Sequence, residues 1–140
     1  MLKFNQQQIL EKLGISKLNA MQQEAMNTIP KSPNTILLSP TGSGKTVAFL
    51  LPIIQHLDPD CNEVQAMILV PSRELAIQIE QVMRKMGSGY KVNAVYGGRA
   101  GSKDKLELKH RPAVLIGTPG RIAAHFYKES FSTEDIKVLV

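Results

Sequence analysis

The chain has 140 residues, 43% of them hydrophobic and 21% charged, with a formal net charge of +5 at pH 7. A chain of this size and make-up folds as one globular domain that buries roughly two-thirds of its unfolded surface, which excludes a disordered tail. Its longest nearly unbroken apolar run, Ala48–Ile54, is far short of the ~20 residues of a membrane span, and its single cysteine, Cys61, excludes an internal disulfide.

In chain order, Met1-Leu2-Lys3-Phe4-Asn5 and three glutamines lack a secretory hydrophobic region, and no Cys/His cluster has zinc-ligand spacing; a soluble, cytoplasmic protein is expected. Two helical segments, Gln6–Leu13 and Asn19–Thr28, form an N-terminal part (residues 1–30) ahead of a sheet-bearing part (residues 31–140). Predicted strands are Thr35–Ser39, Gln65–Val70, Lys91–Tyr96, Ala113–Gly117 and a last one beginning near Ile136. Helices are predicted at Thr46–Leu57 and Ser72–Met86, with shorter ones at Lys103–Leu108 and Arg121–Lys128. In Ser72–Met86 the residues Leu75, Ile79, Val82, Met83 and Met86 share one face, and Ser72 is available as N-cap. Pro52 should kink the helix that contains it or mark its weak point. The strands are apolar throughout rather than alternating, so both of their faces are covered. With helices between them, the expected fold is α/β, a parallel sheet flanked by helices with right-handed crossovers. Chemistry in such sheets gathers at the carboxyl ends of the strands.

The first of those ends carries Ser39-Pro40-Thr41-Gly42-Ser43-Gly44-Lys45-Thr46, running into a helix. This is the phosphate-binding loop pattern. The glycines let backbone N–H groups turn inward around phosphate oxygens, and the helix N-terminus adds its dipole. Lys45 would reach the β- and γ-phosphates and the Thr46 hydroxyl would hold Mg²⁺. A triphosphatase also needs a strand-end acid to anchor the metal and position water. The second strand ends in Pro71-Ser72, the third in Gly97-Gly98 and the fourth in Thr118-Pro119, none of them acidic. Only the fifth strand could deliver the acid, so the sheet is expected to be incomplete at its C-terminus.

Charge is unevenly spread. Residues 1–70 hold five basic and five acidic residues, whereas residues 71–140 hold twelve and seven, so the whole excess lies in the second half. Three strand ends in that half suit an extended anion. Pro71-Ser72-Arg73 opens a helix, Gly97-Gly98-Arg99 allows close backbone approach, and Thr118-Pro119-Gly120-Arg121 opens another helix. Each has a plain alternative: Ser72 as N-cap, the glycine pair as a tight turn, Arg121 as a surface charge. Together they read as a phosphodiester-binding surface that does not read bases.

These motifs, in this order, resemble the DEAD-box ATP-dependent RNA helicases of superfamily 2. Ser39–Thr46 is similar to motif I, Pro71–Ala76 to motif Ia, Gly97-Gly98 to the GG motif and Thr118–Arg121 to motif Ib. Gly14–Gln22 resembles the Q motif, with Ile15, Leu18 and Asn19 where the family has an aromatic, proline and threonine. The resemblance implies a partial RecA-like domain cut just before the Asp-Glu-Ala-Asp motif. It also implies ATP and Mg²⁺ as ligands, Gln22 hydrogen-bonding adenine and Phe4 stacking on it. RNA and a second RecA-like domain would be the partners of a monomer. On the residues alone Gln22 also fits N3 of a capping box begun by Asn19. The fragment itself should bind nucleotide weakly without turnover. Competing readings are a superfamily 2 DNA helicase or translocase, a non-hydrolysing nucleotide-dependent binding module, and a small-molecule kinase, the last disfavoured by the lack of a lid-like Arg-rich segment.

Overall fold

A computed structural model describes residues 3–140. The elements are α1 (Gln6–Leu13), α2 (Ala20–Thr28), a 3-10 turn at Ile29–Lys31, α3 (Lys45–Gln55), β1 (Ala66–Leu69), α4 (Arg73–Met86), β2 (Val92–Val95), α5 (Gly101–Glu107), β3 (Val114–Gly117), α6 (Pro119–Tyr127) and β4 (Val138–Leu139). The strands form one sheet in the order β2-β3-β1-β4, every pair parallel, with Ala66 opposite Val114 on one side and Val138 on the other. Parallel neighbours need long crossovers. The helices α4, α5 and α6 supply them, so the parallel α/β layering expected from the sequence is the one observed.

Side chains of a strand alternate between its faces, and here both faces are buried. Ala66, Ile68, Val92, Ala94, Val114 and Ile116 pack with α1, α3 and α4 in the larger core. Met67, Val95 and Leu115 point the other way, onto Leu108, Ile122 and Phe131. The N-terminal segment belongs to the larger core through Ile9 and Leu10 of α1 and Leu18 between α1 and α2, with Met26 of α2 packed against it. On α4 the buried stripe is Ala76, Ile79, Met83 and Met86; Leu75, expected on it, is exposed. The helix α3 runs unbroken through Pro52, whose carbonyl lies 2.8 Å from His56 Nδ1. At the end of β3 the chain approaches its neighbours closely: a Cβ on Gly117 would lie 2.6 Å from Ile122 Cδ1 and 2.8 Å from the Val95 carbonyl oxygen. This draws the ends of β2 and β3 and the start of α6 together.

One predicted strand is absent. Thr35–Ser39 has no regular structure, and Ile36 and Leu38 are 86% and 87% exposed. A strand exists through its ladder, and pairing is non-local. The segment has the β-branched, apolar composition of a strand, but no strand of the described chain runs alongside it. The expectation that the phosphate loop joins a strand to a helix therefore holds on its helix side only. Among the described residues no helix is long and apolar enough to cross a membrane.

Candidate functional site

The loop before α3 is built on two glycines in the left-handed region, Gly42 (φ 79°) and Gly44 (φ 89°), which other residues adopt only under strain. Gly44 is the N-cap of α3, and no side chain caps that helix. The N–H groups of its first turn are therefore left for a ligand, and the dipole favours an anion there. A Cβ at Gly42 would meet nothing within 4 Å, so the loop backbone is open to approach. Lys45 Nζ donates to the Ser39 carbonyl at 2.7 Å, one of its three donors. The Ser43 hydroxyl donates to the Pro40 carbonyl at 2.6 Å, and the Ser39 hydroxyl donates to Ser43 Oγ. The Thr46 hydroxyl makes no hydrogen bond among the described residues, which leaves it available to a metal.

The loop is braced from α2. Asn19 and Gln22 form a reciprocal capping box: Gln22 N–H donates to Asn19 Oδ1 at 2.9 Å, and Asn19 N–H donates to Gln22 Oε1 at 3.0 Å. The same side chains reach the loop, Gln22 Nε2 donating to the Gly44 carbonyl at 3.2 Å and Asn19 Nδ2 to that of Ser43 at 3.0 Å. Gln22 is buried in this arrangement. The capping role open in the sequence is thus realised, and the same side chains fasten the Gly42–Gly44 loop to the N-terminal helices. Phe4 is half-buried and packs against the larger apolar core.

A second cluster gathers at the ends of β1, β2 and β3. The Arg73 guanidinium lies against Gly98 (φ 91°), where a Cβ would come within 2.8 Å of its Nη1. Arg121 Nη2 donates to the Arg99 carbonyl at 2.7 Å. The motifs carrying Arg73, Gly97, Gly98, Arg99 and Thr118–Arg121 are therefore contiguous. Their side chains are not equally free. Ser72 Oγ accepts the Leu75 N–H and caps α4, whereas Thr118 makes no such cap to α6. Arg73 is 54% exposed, beside the more exposed Glu74 at 3.6 Å. Arg99 and Arg121 are only 22% and 17% exposed and converge on the buried carboxylate of Asp104. Burial works to lower the Arg99 pKa, but hydrogen bonds to Glu107 and Asp104 outweigh it and hold the pKa above its ordinary value. Asp104 was not singled out from the sequence, where it sits between Lys103 and Lys105 like a solvated charge run. The available signal was its position one helical turn before the buried Leu108. No hydrogen bond or ion pair joins this cluster to the phosphate loop among the described residues.

A family model described as DEAD/DEAH box helicase matches residues 19–140. The chain belongs to the DEAD/DEAH box helicase family. It is 34% identical over 136 residues to the DEAD-box ATP-dependent RNA helicase CshC of Bacillus cereus, covering 96% of this chain and 35% of that protein. It is 34% identical over 134 residues to the ATP-dependent RNA helicase DeaD of Escherichia coli K12, covering 94% of this chain and 21% of that one. The chain therefore spans about a third or less of these DEAD-box relatives. In fold it is similar to the yeast DEAD-box splicing factor Prp28, with a TM-score of 0.82 at 22% identity, over 95% of this chain and 34% of that one. A hypothetical ATP-dependent RNA helicase from Sulfolobus tokodaii superposes equally well, also with a TM-score of 0.82 at 22% identity, over 96% of this DEAD-box chain and 40% of that one.

Proposed function

We propose that this chain is the ATP- and RNA-binding N-terminal part of a helicase that couples ATP hydrolysis to local unwinding of RNA duplexes. The observation that carries the reading is the uncapped start of α3 behind the open Gly42 turn, with Lys45 and Thr46 in its first turn. Thr41, Gly42, Ser43 and Gly44 hold the phosphates through backbone amides, Lys45 takes the β- and γ-oxygens, and Thr46 is the protein's ligand to Mg²⁺. Gln22 keeps one amide N–H for the adenine edge, and Phe4 flanks the same end of the chain. When bound, ATP supplies the phosphoanhydride whose cleavage drives the cycle. In the full-length helicase a second RecA-like domain closes over the nucleotide and RNA.

The described residues place no carboxylate at the carboxyl end of a strand to hold the metal and orient water. This chain alone therefore binds adenine nucleotide weakly and does not turn it over. Titration with a fluorescent N-methylanthraniloyl-ADP in the presence of Mg²⁺ should saturate, while phosphate release with RNA present stays at background. Absence of saturable binding would overturn the phosphate-loop assignment, and turnover near one per second would overturn the inactivity. Competition of single-stranded RNA against DNA of the same sequence decides between an RNA and a DNA substrate.

RNA phosphates meet the backbone at Pro71, Ser72, Gly97, Gly98, Thr118, Pro119 and Gly120, with Arg73, Arg99 and Arg121 supplying charge. An exposed ion pair such as Arg73–Glu74 holds its arginine only loosely. Arg73→Ala should weaken binding alike for all RNA sequences and lower the salt slope by about one. A loss confined to some sequences would indicate base readout instead.

A further inference from the structure

Asp104 is fully buried on α5, and its carboxylate meets donors from two other segments of the chain. Arg99 Nε, in the turn after β2, donates to Oδ1 at 2.6 Å. Arg121 Nη1 and His125 Nε2, both on α6, lie 3.4 Å and 3.1 Å from Oδ2. Glu107 accepts from Arg99 Nη2 at 2.8 Å, and His125 Nδ1 faces the Ser130 hydroxyl at 3.1 Å. A carboxylate only accepts, so His125 donates through Nε2 and keeps the ring fixed between Asp104 and Ser130. Buried ion pairs add little net stability over a well-packed apolar side chain, so stability alone does not account for a charge here. Its geometric effect is specific. The two guanidiniums are fastened by some of their donors while Arg99 Nη1 and Arg121 Nε make no hydrogen bond among the described residues.

We propose that Asp104 is the positioning residue of the RNA-facing surface: it sets the Arg99 and Arg121 forks and locks the Gly97–Arg99 turn to the start of α6. This rests on the RNA reading above. A phosphate then meets guanidiniums already held in place, and little side-chain freedom is lost on binding. Arg121 Nη2 on the Arg99 carbonyl closes the same linkage from the α6 side.

The test is single-stranded RNA binding by fluorescence anisotropy over a salt series, with N-methylanthraniloyl-ADP affinity measured on the same proteins. Asp104→Asn should weaken RNA binding about tenfold, within the range that coupled neighbours show, while nucleotide affinity stays within about twofold because the phosphate loop is a separate cluster. In an Arg99→Ala/Arg121→Ala background the same substitution should change RNA binding less than about twofold, since the groups it positions are gone. A merely structural role predicts equal losses in both backgrounds, and that result overturns the inference. RNA affinity of Asp104→Asn equal to that of the unsubstituted chain overturns it too, with the RNA reading intact. No RNA binding by the unsubstituted chain overturns the reading and the inference together. Should Asp104→Asn not fold, Arg99→Lys decides. It keeps the charge but cannot bridge Asp104 and Glu107, so it should lose as much affinity as Arg99→Ala, and unchanged affinity would overturn the inference.

Discussion

Replacing Lys45 with alanine should abolish the proposed ATP-dependent unwinding by the full-length helicase and lower the nucleotide affinity of this chain at least about tenfold, the equivalent of one lost charge-assisted hydrogen bond. The ammonium is held 2.7 Å from the Ser39 carbonyl, at the mouth of the loop whose amides we assign to the phosphates. Exchanging a neutral carbonyl for a phosphate oxygen strengthens that contact, and among the described residues no other basic side chain hydrogen-bonds to the loop. RNA binding in the absence of nucleotide should stay within about twofold, because among the described residues the arginine cluster shares no hydrogen bond or ion pair with the loop. A strand-displacement assay and the fluorescent-nucleotide titration measure the two halves. Unwinding that survives Lys45→Ala would remove the phosphate-loop assignment.

Gly44→Ala is the largest structural perturbation available at the site. The residue has φ 89°, and its added Cβ would lie 2.4 Å from Gln22 Nε2. Left-handed geometry costs an alanine roughly 1–2 kcal/mol. Displacing Gln22 also opens the capping box of α2, about a further 1 kcal/mol. A loss of about 2–3 kcal/mol, seen as a thermal midpoint lower by roughly 10 °C, is expected together with loss of nucleotide binding. Gly42→Ala supplies the contrast, since φ is 79° there but the space is open. Its loss should be limited to about 1–2 kcal/mol of backbone strain. Equal losses at the two positions would show that the Gln22 contact contributes nothing.

Local chemistry was legible in the sequence wherever it is set by near neighbours. Gly42 and Gly44 announce the left-handed turn and Lys45 the start of α3 because both are written within the Ser39–Thr46 stretch. Ser72 and Asn19 are helix caps because the N–H groups they satisfy lie three positions on. The parallel sheet followed from strands that are apolar on both faces. What could not be read depends on partners distant in sequence. Thr35–Ser39 has the composition of a strand, but pairing is decided by what lies beside it. Leu75 fits the periodicity of α4 yet lies off the stripe that meets the sheet. Arg99 and Arg121 stand out as basic strand-end residues, whereas the carboxylate joining them shares the β2–β3 crossover with Arg99 and is met by Arg121 only from the crossover after it. Asp104, His125 and Glu107 become one network only after β2, β3 and α6 have been brought together.

The bare approach to the nucleotide loop has a practical corollary. Ile36 and Leu38 stand in water on a stretch whose backbone groups form no ladder, the combination that invites edge-to-edge association between molecules. Concentrated preparations of this 140-residue chain should therefore clump through the flank leading into Ser39, and a charged residue in place of Ile36 or Leu38 should relieve it, as light scattering would read.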